Sequence, residues 1–102
     1  MKIKDVLILE EAFEDLLAGK AFYDLQEQGV GEYFWDCLIA DIESLVIYGG
    51  VHSKKLGLYQ LFAKRFPYTV YYDVIENFAY VVAVLPMRRN PTWIAGKIQK
   101  RR

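Results

Sequence analysis

The residues in this chain best suited to chemistry are cationic, and they come in pairs. Arg88 and Arg89 stand side by side, as do Lys64 and Arg65, and Lys54 and Lys55. Guanidinium and ammonium groups spaced this way can bind phosphates, nucleic acid or the carboxylates of an acidic partner, and can stabilise negative charge that develops in a reaction. Groups able to move a proton are scarcer. His52 is the sole histidine and sits in a polar stretch beside Lys54 and Lys55, where an ordinary surface role is the simplest reading. Tyr71 and Tyr72 are adjacent, so strand alternation sends at least one of them into a core. Cys37 is the only cysteine, falls in a helical pattern and reads as a small core residue. One histidine and one cysteine cannot assemble a zinc site, and no metal or cofactor is implied.

The elements that must hold these side chains follow from the apolar pattern. Three apolar and aromatic runs fill the second half. Residues 58–66 alternate in part, with Leu61, Ala63 and Arg65 on one side and Gln60, Phe62, Lys64 and Phe66 on the other. Pro67 then sets a turn. Residues 68–75 are rich in β-branched and aromatic types, and both faces of that strand are expected to be at least partly covered. Glu76 and Asn77 form a polar break, and Asn tolerates the positive φ that a two-residue hairpin turn requires. Residues 78–85 therefore return antiparallel, and as the most apolar run they are expected in the middle of the sheet. Pro86 ends the run, and Asn90 followed by Pro91 is the usual pairing of N-cap and first helical residue. Trp93, Ile94 and Ile98 would pack that terminal helix down, with Lys97, Lys100, Arg101 and Arg102 projecting into solvent.

The first half reads as a strand and two helices. Residues 3–9 carry a short apolar run fit for an edge strand beside the hairpin. Residues 10–27 place Phe13, Leu16, Leu17, Ala21 and Leu25 at spacings of three and four, the stripe of an amphipathic helix. Glu10, Glu11, Glu14 and Asp15 in its first turns complement the helix dipole. Gly29 to Gly31 break the pattern, and a second helix over 32–47 presents Trp35, Leu38, Ile42, Leu45 and Val46, with Asp36, Asp41 and Glu43 on its flanks. So short a connection makes the pair an αα-hairpin. Residues 51–57 read as a polar loop. The expected architecture is α+β: one domain over 1–102, an antiparallel sheet built from the N-terminal strand and a three-stranded meander, and the αα-hairpin on one face. The other face is left for something else.

Composition narrows the class. At 102 residues one core can form without metals or disulfides. The hydrophobic fraction is 54 %, yet no run approaches the ~20 apolar residues of a membrane helix, and the N-terminus does not read as a signal peptide, so a cytoplasmic protein is expected. The net charge of zero conceals a division. Residues 1–49 hold three cationic against eleven acidic side chains, a net −8, and residues 50–102 hold ten against two, a net +8. An acidic helical layer and a basic sheet would result, the basic surface suiting polyanions or acidic segments.

At this point the chain resembles the RelE/ParE superfamily of toxins from type II toxin–antitoxin systems, on its ParE-like, plasmid-stabilisation side. Glu14, Asp15 and Leu16 followed by Phe22 and Tyr23 are similar to the family's first-helix pattern, and residues 29–34, Gly-Val-Gly-Glu-Tyr-Phe, to its turn between helices. The most specific segment is 64–72, Lys-Arg-Phe-Pro-Tyr-Thr-Val-Tyr-Tyr. Ala83, Val84 and Leu85, then Arg88, Arg89, Asn90 and Pro91, resemble the family's ending, although Pro86 stands where a His is common. The resemblance implies a cognate antitoxin as partner, folding around the toxin in a hetero-oligomer, and one of two targets. ParE-like members inhibit DNA gyrase, for which Lys54, Lys55, Lys64, Arg65, Arg88 and Arg89 would be contact residues. RelE-like members are mRNA interferases that cut message on the ribosome, for which Arg65, Arg88, Arg89 and Tyr71 would be catalytic. RelE-like enzymes place a tyrosine in the terminal helix, where this chain has Trp93, so the gyrase reading leads. A non-toxic nucleic-acid-binding or autoregulatory relative is the third reading.

Overall fold

The computed structural model describes residues 2–101. In chain order the elements are β1 (Asp5–Ile8), α1 (Glu10–Gln26), α2 (Val30–Glu43), the single turn α3 (Leu45–Tyr48), β2 (Lys54–Lys55), β3 (Leu58–Phe62), β4 (Tyr68–Ile75), β5 (Phe78–Pro86) and α4 (Pro91–Lys100). The strands form one sheet in the order β1-β5-β4-β3-β2. The α+β class and the helical hairpin packed on the sheet are as the sequence predicts. The meander is antiparallel throughout, while β1 runs parallel to β5, so the sheet is mixed.

Both tight hairpins are set by local chemistry. Glu76 and Asn77 adopt φ of 50° and 70°, the doubly left-handed turn whose twist matches that of flanking strands. Leu56 and Gly57 do the same, at 58° and 79°, and pair Lys54–Lys55 with β3, so part of the expected loop over 51–57 is an edge strand. The run expected over 58–66 stops as a strand at Phe62, and Lys64 and Arg65 lie in the following loop.

The inner face of the sheet carries the main core. Leu16 of α1 and Phe34, Leu38 and Ile42 of α2 pack on Tyr68, Val70, Tyr72, Val81 and Val84. Of the predicted stripe on α1 Leu16 is buried, alongside Ala12 and Gly19, while Phe13, Leu17, Ala21 and Leu25 are exposed. The reason is close approach: a Cβ at Gly19 would stand 2.5 Å from Cζ of Phe34, so the smallest residues of α1 face α2. Val46, in α3, is likewise exposed, and in α2 Asp41 is buried instead of flanking, its Oδ2 accepting the Lys64 N–H at 3.1 Å. The single helix expected over 32–47 breaks at Ser44, whose hydroxyl donates to the Asp41 carbonyl.

The outer face is not vacant. There α4 seats Ile98, Trp93 and Ile94 on Leu58, Tyr71, Val82, Ala83 and Leu85, a second core that corrects the expectation of an open face. Asn90 caps α4 as predicted, accepting the Trp93 N–H at 2.8 Å, with Pro91 at the first helical position. A β-bulge serves both cores. Tyr71 pairs with Ala83 and Tyr72 with Val81, leaving Val82 as the extra residue, so the side-chain alternation of β5 resets there.

Past Val81 the edge of β5 has no strand beside it, because β1 ends at Ile8. Side chains complete it. Asp15 accepts the Val84 N–H at 2.9 Å, and Arg101 donates to the Val82 carbonyl at 3.2 Å while holding Asp15 with both terminal nitrogens, at 2.5 and 2.9 Å. Arg101 was expected in solvent; its side chain is 8 % exposed. The pair ties α4 on one face of the sheet to α1 on the other, and Asp15 raises the guanidinium pKa further. Arg102 lies outside the described residues.

Candidate functional site

The paired arginines leave the sheet at a fixed corner. Tyr68 pairs with Pro86, the Met87 N–H donates to the Pro67 carbonyl at 2.8 Å, and the Asn90 cap begins α4. This anchors the short loop carrying Arg88 and Arg89 at both ends. The two side chains part there. The Arg88 guanidinium lies over the Phe22 ring of α1 at 4.5 Å, and that of Arg89 over Trp93 of α4 at 4.4 Å. Lys97, one turn on from Trp93, also approaches that ring, at 5.3 Å. Exposed contacts of this kind are worth about 0.5–1 kcal/mol each, enough to bias rotamers without neutralising charge.

Between α1 and α4 these residues line a cleft of about 260 Å³, with Tyr68 and Asp15 in its wall. Among the described residues the ion pair of Asp15 is with Arg101, and no ion pair takes Arg88, Arg89 or Lys97. The cleft is therefore cationic and rimmed by aromatic faces. The Tyr68 phenol has its pKa raised, chiefly by burial and by Tyr23, against the opposing charge and hydrogen bond of Arg88. It is a neutral hydroxyl beside a guanidinium.

A second groove, of about 500 Å³, runs over the outer face. Phe62, Tyr71, Met87 and Ile94 supply apolar lining, and Lys55 and Arg89 supply its cations. Arg89 borders both cavities. Of the residues singled out from sequence, the fold thus brings Arg88 and Arg89 together in one site and Lys55 and Arg89 in another. Lys54 lies over the Tyr59 ring at 4.7 Å, on the far edge strand, and Lys64 and Arg65 are exposed in the β3–β4 loop and line neither cavity. Tyr71 is 4 % exposed beneath the outer groove, and burial raises its pKa.

His52 is more than a surface residue. Its Nδ1 meets the Tyr72 hydroxyl at 2.5 Å, and that hydroxyl also accepts the Gly50 N–H at 3.0 Å. Burial lowers the imidazole pKa. This contact holds the loop before β2. It lies apart from both cavities. Cys37 is a half-buried free thiol, and the described residues contain no cluster of metal-ligating side chains.

Sequence reasoning missed Tyr68, Phe22 and Lys97 as neighbours of the arginines and took Trp93 only for packing. The spacing of Trp93 and Lys97, four apart on one helix, was the available signal. Nothing local pointed to Phe22 or Tyr68, which reach the cleft through tertiary packing.

A chain of known structure shares this fold. It is described as "Chromosomal ParDE TA system from P. aeruginosa", with a TM-score of 0.75 and 13 % identity over 82 % of this chain and 96 % of that one. No protein-family model and no curated protein matches the chain. The likeness shows an α+β fold shared with a chain of a ParDE system. Among the described residues no helix is long and apolar enough to cross a membrane.

Proposed function

We propose that the chain is the toxin of a type II toxin–antitoxin system, restrained by a cognate antitoxin, and that it acts by binding and inhibiting DNA gyrase. The shared fold with a ParDE system supports the toxin–antitoxin assignment. The observation that carries the mode of action is the cationic corner itself. Among the described residues no ion pair takes Arg88 or Arg89, on a loop anchored at both ends, or Lys97, on the adjoining α4. Such a site suits contact with an anionic surface. The proton carriers named from sequence lie outside the cleft that holds Arg88: Tyr71 lines the outer groove, and His52 is engaged with Tyr72. The antitoxin would occupy the outer groove, laying an apolar face on Phe62, Met87 and Ile94 and directing carboxylates at Lys55 and Arg89.

One observation favours the second reading, a ribosome-dependent mRNA endoribonuclease. Tyr68 places a phenol against Arg88 in the same cleft, a donor beside a charge stabiliser. Tyr68→Phe separates the two. A gyrase inhibitor keeps its toxicity in this variant, because no proton is transferred, whereas a nuclease using this phenol loses on the order of a hundredfold in message cleavage. Primer extension on programmed ribosomes measures the second outcome.

A further inference from the structure

Helix α1 is apolar on two sides. Ala12, Leu16 and Gly19 are buried against α2 and the sheet, and Tyr23 packs with them. A second series, Leu17, Ala21 and Leu25 at successive intervals of four, stands in solvent, joined by Ala18 and led by Phe13. Four-residue spacing keeps such side chains on one ridge. The opposite side of the helix is the one covered by α2 and the sheet.

Charge says what would cover the other. Glu10, Glu14 and Asp24 of α1 are exposed on this same side of the helix, interleaved with the ridge, and Glu32 and Asp36 of the neighbouring α2 are exposed as well. The one cation on either helix, Lys20, is paired with Glu32 at 3.3 Å. We propose that the outer face of α1 is a docking surface for a basic amphipathic helix of a partner protein. The partner would lay leucine-like residues at helical spacing on Leu17, Ala21 and Leu25 and set Lys or Arg against the carboxylates between and beside them. A second copy of this chain fits poorly. Two α1 faces brought together would oppose like charges, and the chain's own cationic helix, α4, already spends its apolar side on the sheet through Ile98, Trp93 and Ile94. The surface is distinct from the outer groove and meets the cationic corner only along Ala18, which lines that cleft; both of those sites call for acidic ligands.

The proposal is tested with a synthetic amphipathic peptide of about 18 residues, long enough to sustain a helix on binding, bearing leucine on one face and lysine on its flanks. A second peptide carries glutamate in place of lysine. Backbone amide shifts of the labelled chain report the site. The expected result is saturable shifts centred on Leu17, Ala21 and Leu25 with the lysine peptide only, weakened roughly tenfold in Leu17→Ser/Leu25→Ser. Leu25 is 88 % exposed, so Leu25→Ser alone keeps the fold and must also weaken binding. Absence of shifts on α1, equal binding of the glutamate peptide, or a dimer of the chain that Leu25→Ser dissociates would each overturn it. Because the readout is binding, it is independent of whether the chain inhibits gyrase.

Discussion

Arg88 and Arg89 are neighbours in sequence that serve different surfaces, one lying over Phe22 and the other over Trp93 between the two cavities. Both are exposed, so Arg88→Ala/Arg89→Ala is expected to leave the thermal midpoint nearly unchanged while abolishing growth arrest on induction in a host lacking the antitoxin. Growth curves beside a circular-dichroism melt check both halves of that statement. His52 gives a pH prediction. Its folded pKa is depressed by burial, so the unfolded chain takes the proton more readily. The stability it contributes is complete above about pH 6.5 and is lost as pH falls through the lower folded value. Urea midpoints between about pH 7.5 and pH 5 should decline more steeply in the wild type than in His52→Asn, where that titration is gone. Tyr72→Phe should cost about 1–3 kcal/mol at neutral pH, since it strands the Gly50 N–H and the imidazole nitrogen together. The arginine pair was legible from sequence because two guanidinium groups after a strand-ending proline are conspicuous. The role of His52 was not, since its partner lies twenty positions away and no local pattern encodes it.

At the scale of elements, hairpin turns and caps were readable because they are written in adjacent residues. Glu76-Asn77 and Asn90-Pro91 behave as their chemistry requires. The buried side of α1 was misread for a physical reason: the helix carries two apolar ridges, and the larger side chains of Phe13, Leu17 and Leu25 outweigh Ala12 and Gly19 in any periodicity argument. Packing selected the small ones, because Phe34 occupies the space a side chain at 19 would need. Gly19→Ala is accordingly expected to destabilise by about 1–3 kcal/mol through overpacking, despite its better helix propensity; denaturant unfolding measures it. The Arg101–Asp15 clamp was equally invisible, spanning nearly the whole chain to finish an edge that β1 is too short to cover. Arg101→Ala leaves a largely buried Asp15 without its cation and should cost about 3 kcal/mol. A double-mutant cycle with Asp15→Asn, read by urea unfolding, should return a coupling well above that of an exposed pair, which is at most about 1 kcal/mol.

Across the whole molecule the chain's division of charge becomes a division of surfaces. The acidic half forms β1 and the helical layer, whose outer ridge mixes apolar side chains with carboxylates, and the basic half forms the rest of the sheet and the corner where β5 hands over to α4. The sequence pattern conveyed this separation and the fold class, but not the parallel placement of β1 or the second core under α4, both of which depend on contacts between distant segments. One sheet thus holds two helical layers, with Arg101 and Asp15 joining them around its edge, and the cationic cleft opens between α1 and α4. The proposed role of this corner is to bind gyrase and stop it. The direct measurement is DNA gyrase supercoiling of relaxed plasmid with increasing amounts of the purified chain, alongside Arg88→Ala/Arg89→Ala. Loss of supercoiling with the wild type and its retention with the variant is the predicted result; undiminished supercoiling with a wild-type chain that still arrests growth would contradict the claim.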